Sequence, residues 1–133
     1  MKIRSILKFL RGGDSLTAAA SSQPPVDLAT LASIMGDDKE ELLFSFLDRF
    51  VEMFPDLLDD LKIAVQDCDA RLLTDRVHTA KGAALGIGAH TLSEILQEME
   101  TCNKSEFWDG SAANFKAVQS EYDRIVQFCK NRS

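Results

Sequence analysis

Residues 76–89 of the chain read RVHTAKGAALGIGA, and they belong to a segment that is predicted to be helical over about 69–86. With about 100° between successive residues of a helix, Val77, Ala80 and Ala84 fall on one face of this segment. Because that face is apolar and the opposite face is polar, the segment is predicted to be an amphipathic helix that packs against other helices.

The rest of the chain shows the same periodicity. Five further helical segments are predicted, near residues 27–34, 37–51, 55–65, 91–102 and 111–128. In this interpretation Pro55 begins a helix of its own, and Thr91 and Ser111 cap the last two. No segment alternates with period two, which argues against strands. The predicted fold class is all-α, an up-and-down four-helix bundle with short accessory helices.

Composition divides the chain into two parts. Residues 1–13 carry four basic and no acidic side chains, and residues 11–25 are rich in Gly, Ser, Ala and Pro. We therefore expect a flexible basic N-terminal tail and linker over 1–25, followed by the bundle over 26–131. With a net charge of -6 overall, the part after the tail is strongly acidic. An acidic surface argues against nucleic-acid binding.

Cysteine and histidine content limits the kinds of site that the chain can hold. Cys68, Cys102 and Cys129 are widely spaced and form no CxxC motif, which favours reduced thiols and a cytoplasmic protein. His78 and His90 are too few and too isolated for a zinc site, so no metal or cofactor is expected. No run reaches the roughly 20 apolar residues of a transmembrane helix.

The candidate functional residue is His78. Its direction on the helix points away from the apolar face, toward water, and Gly82 lies one turn further on the same side. A glycine within a helix costs about 1 kcal/mol relative to alanine, and core packing does not explain one that points outward. Lys81 lies about 60° around the helix from His78. An exposed imidazole, a nearby cation and an open approach suit phosphoryl transfer.

The run HTAKGAALGIGA at 78–89 resembles the signature of histidine phosphotransfer (HPt) domains, and the similarity extends over about residues 26–130. The resemblance implies that His78 is phosphorylated on Nε2, that Lys81 pairs with the phosphoryl oxygens, and that Gly82 leaves room for the partner. It also implies partners: receiver domains of response regulators or hybrid histidine kinases, which carry the reactive aspartate and a magnesium ion. Glu100 stands where some relatives have glutamine.

These expectations define a phosphorelay intermediate that accepts a phosphoryl group on His78 from one receiver domain and passes it to another. The chain has no Gly-rich phosphate loop and hence no ATP site of its own, so it is not expected to be an enzyme. A monomer is expected. The alternative is a helical interaction module that binds signalling partners without using His78. The candidate partner contacts are Arg71, Thr79, Leu85 and Lys104.

Overall fold

The structure, a computed structural model, describes residues 23–132, and within them it contains five α-helices and no strand. They are α1 (Leu28–Met35), α2 (Glu40–Gln66), α3 (Ala70–Gly86), α4 (His90–Lys104) and α5 (Trp108–Lys130). The four long helices each pack on the next, and α5 closes the ring against α2. This arrangement confirms the predicted all-α bundle, with one short accessory helix instead of several. Most of the predicted tail, residues 1–22, lies outside the described residues.

The short helix α1 is held against the turn between α3 and α4. The Asp27 carboxylate caps the helix by accepting from the Thr30 backbone N–H, and the Asp27 N–H donates to the Gly88 carbonyl at 2.9 Å. A Cβ on Gly88 would lie 2.6 Å from the Asp27 carbonyl oxygen, and Gly88 has φ 73°. Only glycine allows both this backbone conformation and the close approach of α1.

Helix α2 runs without interruption through Pro55, so the prediction of a separate helix from 55 was wrong. Proline has no N–H to donate to the carbonyl four residues earlier, which here is that of Val51. The Tyr122 hydroxyl on α5 donates to that carbonyl at 2.6 Å. A side chain from a neighbouring helix thus replaces the missing backbone donor, and the helix continues.

The starts of α4 and α5 also differ from the prediction. Helix α4 begins at His90 and α5 at Trp108, without a side-chain cap on either. Thr91 and Ser111, the predicted caps, lie inside these helices and are buried. Helix α5 starts about one turn early because Trp108 packs against the core from its first position.

The core fixes the rotation of α3. Leu73, Val77, Ala80 and Ala84 are fully buried or nearly so, which confirms the predicted apolar face. Asn103 on α4 fixes the register of the two helices, because its Nδ2 donates to the Ala70 carbonyl at 3.0 Å and to another acceptor on α3. None of the helices between residues 23 and 132 has the length and apolarity that crossing a membrane requires.

The bond from Tyr122 to the Val51 carbonyl predicts a coupling between Tyr122 and Pro55. Tyr122→Phe should lower the free energy of unfolding by about 1–3 kcal/mol, because the carbonyl loses its donor. In a Pro55→Ala background the new backbone N–H can donate instead, and the cost should fall below about 1 kcal/mol. Urea unfolding followed by circular dichroism measures the cycle. Equal losses in the two backgrounds would show that the hydroxyl does not replace the proline donor.

Candidate functional site

His78 lies near the middle of α3 with its side chain exposed, as its position on the helix predicts. Among residues 23–132 the imidazole has no hydrogen-bond or ion-pair partner. Because the apolar face of α3 is fixed in the core, the ring is held on the outside of the bundle. Both the lone pair and the ring edge are therefore open to an incoming group.

The surface around His78 is clear of side chains in one direction along the helix. Gly82 and Gly86 follow at intervals of four residues, and a Cβ on either would have no other atom within 4 Å. Residues four apart are neighbours on a helix surface. His78, Gly82 and Gly86 therefore form what we call the open face of α3. Leu85 lies beside it with 48% of its surface exposed.

Lys81 does not extend freely into solvent. Its Nζ donates to Gln97 Oε1 at 2.6 Å and to Glu100 Oε1 at 3.1 Å, both on α4. Sequence reasoning identified Lys81 but did not identify Gln97, because the register between α3 and α4 is not visible in either segment alone. Glu100, noted only as a departure from relatives, is an ion-pair partner of Lys81.

The other candidate contacts are spread along the bundle. Arg71 and Thr79 are exposed on α3, and the Thr79 hydroxyl donates to the Asp75 carbonyl. Lys104 ends α4 next to Asn103, which contacts the first turn of α3. Lys104 therefore lies about two helical turns from His78, measured along the helix axis. The structure groups His78 with Lys81 and Gly82 and leaves Lys104 at the edge.

A shallow groove with both apolar and charged lining, the latter from Arg49 and Glu52, adjoins the open face of α3 and was not predicted from the sequence. Phe46 and Met53 on α2 are each 46% exposed, and they line the groove with Ala83 and Gly86 of α3. We call this the α2–α3 groove. Phe46 belongs to the apolar face of α2, but that face is wider than the part that α3 and α5 cover. Large exposed apolar side chains next to an open surface are typical of a protein interface.

His90, the second histidine, is in a different setting. Its Nε2 lies 3.4 Å from Asp27 Oδ2 and 3.3 Å from the Thr30 hydroxyl, so it supports the cap of α1. Hydrogen bonds from Thr30, with a smaller contribution from His90, lower the pKa of Asp27 below its ordinary value. No group of three or more metal-ligating side chains is present in the described part of the chain.

An exposed histidine with an adjacent lysine and an unobstructed helix face can accept and release a phosphoryl group. No side chain in the described part of the chain is bonded to it as a general base, and a neutral imidazole needs none to attack phosphorus. The arrangement provides a nucleophile and a cation, which are the groups that a carrier of a phosphoryl group needs.

Comparisons with known proteins agree with this chemistry. The family model of the Hpt domain matches residues 45–128. The fold is similar to the crystal structure of histidine-containing phosphotransfer protein B (HptB) from Pseudomonas aeruginosa PAO1, with 26% sequence identity and a TM-score of 0.71. That match covers 80% of this chain and 92% of the other. No curated protein sequence matches the chain. The chain belongs to the Hpt domain family, and it is a histidine phosphotransfer intermediate of two-component phosphorelay.

Proposed function

We propose that His78 is the residue that carries the phosphoryl group, with Lys81 and Gly82 as its supporting residues. The observation that carries this proposal is an exposed imidazole, without a hydrogen-bond partner among residues 23–132, beside a glycine whose missing side chain leaves open space. His90 is less suitable, because its ring is engaged with the cap of α1. The partners in this proposal are receiver domains of response regulators or hybrid histidine kinases.

The transfer is a displacement at phosphorus. Nε2 of neutral His78 attacks the phosphorus of an aspartyl phosphate on the receiver, a nitrogen–phosphorus bond forms, and the bond from phosphorus to the aspartate oxygen breaks. The aspartate leaves as a carboxylate, and the reverse displacement passes the group to a second receiver. Magnesium belongs to the receiver in this scheme, and the phosphoryl group comes from that partner without an ATP site on this chain. Catalysis then rests on positioning and charge.

The open face of α3 and the α2–α3 groove together offer a docking surface. Phe46, Met53 and Leu85 provide apolar area that a helix of the partner can cover, and Gly82 and Gly86 allow its close approach. Exposed apolar residues on a surface that adjoins a reactive group are typical of a specific, transient contact.

Polar groups border that surface. We include Arg71 and Thr79 on α3 as contacts, and Lys104 as a contact at the edge. We also propose that the protein acts as a monomer in the cytoplasm. The three free cysteines, Cys68, Cys102 and Cys129, support that location.

Replacing His78 tests the assignment directly. His78→Gln should remain folded, because the side chain is exposed and surface changes usually alter stability by less than about 0.5 kcal/mol. It should lose all acid-labile phosphate labelling from a phosphorylated receiver domain. The matched control is His90→Gln, which removes the other histidine and should keep labelling at the wild-type level.

Two results would contradict the proposal. Labelling of His78→Gln would place the phosphorylated residue elsewhere. Wild-type protein that binds phosphorylated receivers without becoming labelled would support the interaction module instead. A panel of receiver domains, each scored for both binding and phosphate transfer, separates these outcomes.

Substitution of Gly82 tests the need for clearance. Gly82→Leu should fold, since Gly82 is exposed and a Cβ there meets no atom of another helix within 4 Å, but it should slow transfer from a receiver by about tenfold or more, because it displaces the docked partner. Gly82→Ala should slow transfer much less and should stabilise the helix by about 0.5–1 kcal/mol. Transfer rates and thermal unfolding of both variants check this. Equal rates for alanine and leucine would show that clearance is not limiting.

Removal of the lysine should have a milder effect than removal of the histidine. Lys81→Ala should slow transfer or lower the phosphorylated fraction by about tenfold, because one charge-assisted contact to the phosphoryl oxygens is lost and the nucleophile remains. Lys116→Ala, an exposed lysine on α5, is the control and should behave as wild type. Complete loss of labelling in folded Lys81→Ala would mean that the lysine does more than balance charge.

A further inference from the structure

The cation beside His78 is already engaged when the histidine carries no phosphate. Lys81 Nζ contacts Gln97 Oε1 at 2.6 Å and Glu100 Oε1 at 3.1 Å. Both side chains of the ion pair are mostly covered, with 25% of Lys81 and 29% of Glu100 exposed. A pair that is shielded to this degree is screened less than one in open water. The ion pair with Glu100 therefore has to be weakened before the Lys81 ammonium can bind a second anion.

Resting on the function proposed above, we propose that Glu100 is a positioning residue which competes with the phosphoryl group for Lys81. Glu100 would thereby set how strongly His78 retains phosphate. It holds the ammonium in the unphosphorylated protein and releases it, in whole or in part, when His78 is modified.

The geometry of the two helices supports this competition. Asn103 lies opposite the first turn of α3, and Glu100 lies opposite Lys81. Helices α3 and α4 are antiparallel neighbours, so along the helix axis His78 lies between these two contacts. His78 and Lys81 are three residues apart on one helix, a spacing that places their Cβ atoms about 5–6 Å apart. The four-carbon stem of lysine can thus turn its ammonium from α4 to a group on the imidazole.

Charge determines the direction of the effect. A phosphoryl group near neutral pH carries a charge of about -1.5 to -2, so it attracts Lys81 more strongly than one carboxylate does. When the Lys81 ammonium pairs with the phosphoryl group, its bond to Glu100 is weakened. That loss lowers the stability of the phosphorylated state. Gln97 is neutral and can keep its bond in both states. Glu100 therefore lowers the stability of phosphohistidine and favours passing the group on.

The test replaces the competing charge and keeps the shape. Phosphoramidate serves as a donor that needs no partner: Nε2 of His78 attacks phosphorus, a nitrogen–phosphorus bond forms on the ring, and ammonia leaves. At fixed phosphoramidate and ammonium concentrations and fixed pH, Glu100→Gln should raise the equilibrium ratio of phosphorylated to unphosphorylated protein by about threefold to tenfold. Phosphorus NMR measures the ratio. Glu94→Gln removes the same charge from another face of α4 and should change the ratio by less than about twofold.

A second background tests whether the effect passes through the lysine. When Glu100→Gln is introduced into the Lys81→Met variant, the ratio should change by less than about twofold, because the ammonium for which Glu100 competes is absent. An equal increase with and without Lys81 would overturn the competition, since the carboxylate would then act through its field alone. An unchanged ratio in Glu100→Gln would overturn it as well.

The proposed function is judged separately in the same experiment. Wild-type labelling that His78→Gln abolishes supports His78 as the site, whatever Glu100 does. Labelling of His78→Gln would reject the site itself. Circular dichroism of every variant shows whether a change in the ratio comes from the folded protein.

Discussion

The rest of the structure depends on the rotation of α3 about its own axis. Four apolar residues of this helix, Leu73, Val77, Ala80 and Ala84, are fixed in the core. Two of them are alanines, so α3 lies close to its neighbours and has little freedom to turn. Once that face is buried, the position of every other residue on α3 follows from the helical repeat. His78 is exposed because the buried alanines lie on another face of α3.

The ring of four helices also requires that α2 remain one long helix. Pro55 would normally break it, and the sequence was interpreted as two helices for that reason. The hydroxyl of Tyr122 supplies the donor that the proline lacks. Because Tyr122 comes from α5, the same bond that keeps α2 continuous also fixes α5 against it. A potential weak point of one helix has become a contact between two.

The sequence predicted those features that depend on one helix at a time. The apolar face of α3 and the exposure of His78 were both confirmed. Periodicity is local, so it can be recognised in a single segment. The family to which the chain belongs was likewise recognised from the short run at 78–89.

Features that depend on two helices could not be predicted in the same way. The contacts of Lys81 with Gln97 and Glu100 require the register of α3 against α4, which a side chain such as Asn103 fixes only in the folded protein. The exposure of Phe46 depends on how far α3 covers α2. The continuity of α2 through Pro55 depends on α5. Each was missed because its cause lies in another segment.

The absence of any partner for the His78 ring within residues 23–132 has a consequence for how this protein can change partners. A ring that no neighbour orients can present either nitrogen in either tautomer. The residues proposed above as partner contacts are separate from the ring. Substitutions at those residues can redirect the protein to a different pathway while the chemistry at the ring stays intact. Such a division allows new signalling connections to evolve one surface residue at a time.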